Sequence, residues 1–222
     1  MKKYSVLIVD DHPMISEIYK IAFLKISSKN ETIEFNIDIA DDCDSAIEII
    51  NKYKKLDIVL LDIKIPPSKD LEFLSGEDLG IFIKKKFPRT KIIISTTYND
   101  NLRINNILEN IKPNSLLTKN DINSEELVLA INTVLNSKKS YYSNSVLEIM
   151  KDKIPTGYLL DKIDRRLLYE ISLRATNKEI SDIIGLSIST IEKRKRKLNN
   201  IFGVKNRNNR KLIFKAKNKG FI

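Results

Sequence analysis

One cysteine, Cys43, in 222 residues excludes an internal disulfide. It follows a strand-like run and sits among acids, where it reads as a small structural residue in a reducing cytoplasm. Long apolar runs are also missing. No stretch approaches the roughly 18 consecutive apolar residues of a membrane span. The opening MKKYSVLIVDD meets two acids too soon for a secretory signal. Acids themselves are scarce in one part of the chain. Residues 151–222 hold 7 Asp+Glu against 19 Lys+Arg, a net of +12, whereas residues 1–150 hold 22 against 20, a net of −2, and together these give +10. Such asymmetry points to a near-neutral regulatory or catalytic part joined to a part that meets nucleic acid.

What is present is an alternation. Short apolar runs at Tyr4–Val9, Phe35–Ile39, Asp57–Leu61, Ile92–Ile94 and Ser115–Thr118 predict five strands. Between and after them, apolar residues recur at helical spacing: Ile15 to Ile26, Ala46 to Ile50, Leu79 to Phe87 before Pro88, Leu102–Ile111, and Leu127 to Val134 with Ser124 as N-cap. Alternating strands and helices imply an α/β domain with a doubly wound, five-stranded parallel sheet. We place this domain at residues 1–137 and a linker at 138–157, with one helical turn at Val146–Met150. An all-α domain at 158–222 follows, its helices punctuated by Gly185 and Gly203.

Right-handed crossovers put the loops after the strands on one sheet edge, where ligands bind. That edge collects Asp10, Asp11, Asp62, Ser95, Thr96, Thr97 and Lys119. Three carboxylates there repel one another unless a cation offsets them, and all-oxygen ligands select a hard divalent ion such as Mg²⁺. A lysine and a hydroxyl beside them suit the oxygens of a transferring phosphoryl group. The lone Asp62 is the natural nucleophile, because a carboxylate can accept a phosphoryl group covalently. Any single acid after a strand is more often a turn former or helix cap; the combined set carries the signal.

These residues resemble a known family. LIVDDHP at 7–13, LLDIKIP at 60–66, IIIST at 92–96 and LLTK at 116–119 look like the receiver domains of two-component response regulators, over roughly residues 3–137. The resemblance implies a flavodoxin-like fold. It also implies that Asp10, Asp11, Asp62 and the backbone carbonyl of Lys64 hold Mg²⁺, and that Asp62 takes phosphate from a sensor histidine kinase. Thr96 and Lys119 then bind the phosphoryl oxygens and report them. Within this family His12, the only histidine, reads as a helix-entry residue before Pro13. Four departures stand out. The segment Pro67–Ser75 makes the loop after Pro66 about six residues longer than usual for the family. Leu116 stands where an aromatic switch residue is common, with Tyr98 as a substitute. Thr97 takes a normally small position beside the phosphate, and Asn120 follows Lys119.

In the C-terminal part, LDKIDRRLLYEISLRA at 160–175 is amphipathic, with Asp161 as N-cap and Asp164 completing a capping box. TNKEISDIIGLSISTIEKRKRKLNNIFGVKNR at 176–207 reads as a helix–turn–helix whose second helix is basic, a shape that enters the major groove of double-stranded DNA. NKEIS, LSISTI and FGVKNR resemble the LuxR-type helix–turn–helix over about 158–222. The resemblance implies a recognition helix near Ser189–Phe202. Glu192, Lys193 and Arg196 face base edges or the groove, while Lys178, Thr190, Arg194 and Arg207 hold phosphates; Lys197 is a secondary contact. Arg174 stands where a glycine normally ends the first helix, so strain is expected there. Glu192 replaces a usual lysine and can accept from cytosine N4, which makes an unusual target sequence an expectation.

The expected function is a cytoplasmic response-regulator transcription factor. Phosphorylation of Asp62 controls homodimerisation and DNA binding, with no enzyme turnover beyond weak self-dephosphorylation and no membrane partner. Two rivals are a phosphorylation-independent receiver used for dimerisation, and an α/β phosphohydrolase with Asp62 as nucleophile. The latter wants a second acid two residues on, where Lys64 stands.

Overall fold

The computed structural model describes residues 1–152, 154–205 and 208–222. The chain divides into two compact units, Met1–Asn99 with Ile107–Lys151, and Asp100–Asn106 with Asp152–Ile222.

In the first unit, strands β1 (Lys2–Val9), β2 (Ile33–Ala40), β3 (Ile58–Asp62), β4 (Lys91–Thr96) and β5 (Ser115–Thr118) alternate with α1 (Pro13–Lys29), α2 (Cys43–Lys52), α3 (Gly76–Lys86) and the part from Ile107 onward of α4 (Asn101–Ile111). After β5 come α5 (Ser124–Asn136) and a short strand, β6 (Tyr141–Tyr142). Every strand pairing is parallel, in the order β2-β1-β3-β4-β5-β6. The central runs VLIV, IVLL and III are buried throughout, as a sheet covered on both faces requires. Tyr19, Phe23, Leu127 and Ile131 of α1 and α5 pack with Val6, Ile8, Leu60 and Ile93 on one face.

Three boundaries differ from the sequence reading. Strand β6 pairs with β5 and extends the expected five-stranded sheet to six. The segment read as a linker holds that strand, and its expected helical turn at Val146–Met150 lies within a seven-residue helix, α6 (Asn144–Met150). Two residues are too few to show alternation, so the strand leaves no signal in the sequence. The N-cap of α5 is Asn123, not Ser124. Its side chain accepts from the N–H groups of Glu125 and Glu126, satisfying two of the donors that a helix start leaves without intrahelical partners.

The long loop is an ordered turn. Ser68 N–H donates to the Phe73 carbonyl (2.8 Å), and Phe73 N–H returns to the Ser68 hydroxyl (3.0 Å). Phe73 is buried, edge-on to Phe82 at 5.3 Å. Leu71 has φ +59° at the turn. The loop ends at Gly76, where a Cβ would lie 1.9 Å from the carbonyl oxygen of Asp62. Only glycine lets α3 begin so close to the tip of β3.

The second unit contains α7 (Lys162–Ser172), α8 (Asn177–Ile184), α9 (Ile188–Ile201) and α10 (Asn209–Asn218). Leu167, Leu168, Ile180, Ile191, Leu198 and Leu212 form its core. Asp161 and Asp164 form the expected capping box, and Thr176 with Glu179 forms another. Gly185 closes α8 in the left-handed region. Arg174 does the same work for α7 at φ +65°. Its N–H donates to Ile171 O and that of Ala175 to Glu170 O, the paired bonds of a Schellman turn. The expected strain at Arg174 is therefore present in the backbone.

Candidate phosphoryl site and nucleic-acid interface

Strands β1, β3 and β5 end at the same sheet edge and deliver Asp10, Asp62 and Lys119 to one point. Asp10 and Asp62 are buried at 1% and 2% exposure, and the Lys119 Nζ lies 2.7 Å from an oxygen of each. This ammonium stands between two carboxylates that could not otherwise share a dry site. The second oxygen of Asp62 accepts from Lys64 N–H (3.0 Å), and Asp10 accepts from His12 N–H (3.0 Å). Burial raises the Asp62 pKa; Lys119 offsets part of that shift, and Asp10 adds repulsion. Burial opposes the charge of Lys119, but its two carboxylate partners outweigh that and raise its pKa.

Asp10, Asp11, His12 and Asp62 each offer a ligand atom, and these atoms lie within 4.8 Å of one another. That spacing and the carboxylate majority fit one hard divalent cation. His12 Nδ1 sits 2.6 Å from Asp11 Oδ1, at the entry of α1. Thr96 is fully buried, one residue beyond Ser95, which pairs with Asp62 in the β3–β4 ladder. Its hydroxyl accepts from Tyr98 N–H (3.2 Å), and its carbonyl accepts from Lys119 N–H (2.7 Å). Leu116 is buried, while Thr97, Lys64 and Asn120 are exposed. A hydrogen bond that the sequence does not reveal joins Tyr19 of α1 to Ser95 (2.7 Å) inside the core. By periodicity alone Tyr19 is one more member of an apolar helix face.

In the second unit, α9 carries the KRKRK run. Ser187 caps it, accepting from Thr190 N–H (3.3 Å) and bonding the Thr190 hydroxyl (2.8 Å). Arg194 does not project freely. Its Nη1 lies 2.8 Å from Asp161 Oδ2 and 2.7 Å from Asp164 Oδ1, and Lys197 reaches Asp164 Oδ2 at 2.7 Å. Both cations on this face of α9 thus hold the N-terminus of α7. Asp161 and Asp164 are legible in the sequence as a capping box, but not as partners of α9. Lys195 donates to the Asn177 side chain (2.9 Å), and burial lowers its pKa. Lys178, Glu192, Lys193 and Arg196 are exposed, and Thr190 is partly buried. Arg207 lies outside the described residues.

Residues 6–132 match the response regulator receiver domain family. The oxygen regulatory protein NreC of Staphylococcus aureus strain MRSA252 is 26% identical over 214 residues, covering 91% of this chain and 92% of that protein. RcsB from Salmonella enterica serovar Typhimurium, solved on the promoter rprA with phosphomimetic BeF3−, superposes with a TM-score of 0.66 at 21% identity. That comparison covers 97% of this chain and 99% of the RcsB chain. The same protein on the promoter P1flhDC gives a TM-score of 0.60 at 20% identity, over 97% and 98% of the two chains. No helix among the described residues is long and apolar enough to cross a membrane.

Proposed function

Because the chain belongs to the response regulator receiver domain family, we propose that it is a transcription factor whose DNA binding is switched by phosphorylation of Asp62. The observation that carries the reading is the Lys119 ammonium 2.7 Å from both Asp10 and Asp62 at the tips of three parallel strands. Asp62 attacks the phosphorus of a phosphohistidine on a sensor kinase. A P–O bond forms at its carboxylate as the P–N bond breaks, and the imidazole leaves. Mg²⁺, held by Asp10, Asp11, Asp62 and the backbone carbonyl of Lys64, supplies charge neutralisation for the incoming group when bound. Lys119 then exchanges a carboxylate partner for a phosphoryl oxygen, and Thr96 offers its hydroxyl to another. Both act at β4 and β5, so the modification biases the conformation of that end of the receiver.

RcsB dimers have been solved on DNA. For this chain, a two-fold dimer presenting two α9 helices is the corresponding arrangement, with half-sites about one helical turn apart. Lys193 and Arg196 face the groove with Glu192. Lys178 and Thr190 sit where phosphates pass, Arg207 is a further phosphate contact by resemblance, and Arg194 is committed internally. The compartment is the cytoplasm, where a kinase and the chromosome are both reachable.

One assay tests the reading. The full chain is incubated with Mg²⁺ and a small phosphodonor, with Asp62→Asn as control, and mass, oligomeric state and DNA affinity are measured. The expected result is a phosphoryl adduct absent from the mutant, with dimerisation and tighter DNA binding only in the modified protein. Equal DNA affinity with and without the adduct would remove the switch.

A further inference from the structure

The KRKRK run does not present five equivalent cations. Arg194 and Lys197, three residues apart, are bonded to Asp161 and Asp164, and Lys195 is bonded to Asn177. Apart from Ile188 at its first position, what α9 leaves exposed is Ser189, Glu192, Lys193, Arg196 and Asn200. Those positions follow helical spacing and share one face. On it, an anionic acceptor and a forked cationic donor, Glu192 and Arg196, stand one turn apart, roughly 6 Å along the axis.

Beside them lies a cavity of about 220 Å³ lined by Asn177, Glu192, Lys195, Arg196, Asn199 and Asn209. Asn199 is 4% exposed, and its Oδ1 has no hydrogen-bond partner. Its amide Nδ2 is already used, donating to Lys195 O at 2.7 Å. What this flank offers a partner is an exposed carboxylate, Glu192, next to an exposed guanidinium, Arg196, with the unpartnered Asn199 oxygen buried behind them. Its complement carries an amino donor beside a pair of acceptors.

We infer that Glu192 and Arg196 together read a C·G base pair in the major groove. This rests on the DNA-binding reading above and names the sequence feature that it recognises. Cytosine N4 donates to the Glu192 carboxylate, and guanine N7 and O6 accept the two parallel N–H groups of Arg196. A·T pairs fit less well: thymine presents a methyl group and a single acceptor, so the guanidinium loses its bidentate partner. Phosphates repel Glu192, so its partner on the duplex is a base edge and not the backbone.

The test is selection of bound duplexes from a random library by the phosphorylated full chain, alongside Glu192→Ala and Glu192→Gln. Glu192 is exposed, so neither substitution threatens folding. Wild type should enrich cytosine at one position in each half-site. Replacing that cytosine by N4-methylcytosine, which keeps the pair with guanine but puts a methyl group in place of the N4 hydrogen that faces the major groove, should weaken wild-type binding by about 5- to 150-fold. Glu192→Ala should bind both duplexes within about twofold of each other. If Glu192→Ala loses as much affinity as wild type on the methylated duplex, or wild type selects no cytosine while still binding DNA specifically, the base-pair assignment is overturned and DNA binding stands. If neither protein binds any duplex, the DNA-binding reading itself fails.

Discussion

Replacing Arg194 by alanine separates two uses of one cation. By resemblance its position holds a DNA phosphate; in the structure its guanidinium sits against Asp161 and the fully buried Asp164. Breaking a buried ion pair by removing one partner costs about 3–5 kcal/mol. Here Lys197 remains 2.7 Å from the other oxygen of Asp164, and Arg194 itself is 24% exposed. Both facts reduce the cost, so a loss of roughly 2 kcal/mol is expected. Arg196→Ala, on the exposed face, should stay within about 0.5 kcal/mol of wild type. Urea unfolding of the full chain, followed through the helical signal of the second unit, measures both. A second measurement is the slope of log affinity for DNA against log salt, which becomes shallower by about 0.9 for each phosphate that the protein no longer neutralises. Arg194→Ala should lower stability and leave that slope unchanged. An unchanged unfolding midpoint with a slope shallower by about one would show that Arg194 binds phosphate and that its internal pairs are dispensable.

Other expectations follow from single features. Arg174 holds a left-handed turn at φ +65°; Arg174→Gly should stabilise the second unit by about 1 kcal/mol, and Arg174→Ala should not, as unfolding midpoints will reveal. Burial raises the Asp62 pKa, with Asp10 adding to the shift and Lys119 offsetting part of it. The folded state therefore binds this proton more readily than the unfolded chain, and stability falls as pH rises between the two pKa values. Asp62→Asn removes that loss: its melting temperature should exceed wild type at pH 7, with the gain shrinking as pH falls into the carboxylate range. Phe73 anchors the long loop against Phe82; Phe73→Ala should cost about 3 kcal/mol in unfolding measurements. Partial deletion of Pro67–Ser75 should retain phosphorylation of Asp62, with phosphate lifetime as the readout. Glu192→Lys should raise non-specific DNA affinity and steepen its salt dependence; no change would place Glu192 away from DNA.

Local signals determined much of this protein. Short apolar runs ending in acids mark the strands that carry Asp10 and Asp62, because a strand buried on both faces must be continuously apolar and a charge ends it. Asp161 and Asp164 can be read as a capping box because the motif spans one helical turn. Arg174 can be read as strained because only its neighbours in sequence set its dihedral angle. Tertiary structure decided what depends on residues far apart in the chain. Lys119 meets Asp10 and Asp62 across 109 and 57 residues, and Tyr19 meets Ser95 across 76. The KRKRK run shows the division most directly. Helical periodicity puts Arg194 and Lys197 on a different side of α9 from Glu192 and Arg196. Only the packing of α9 against the start of α7 brings Asp161 and Asp164 to that side, consuming two charges and leaving the other face for a partner.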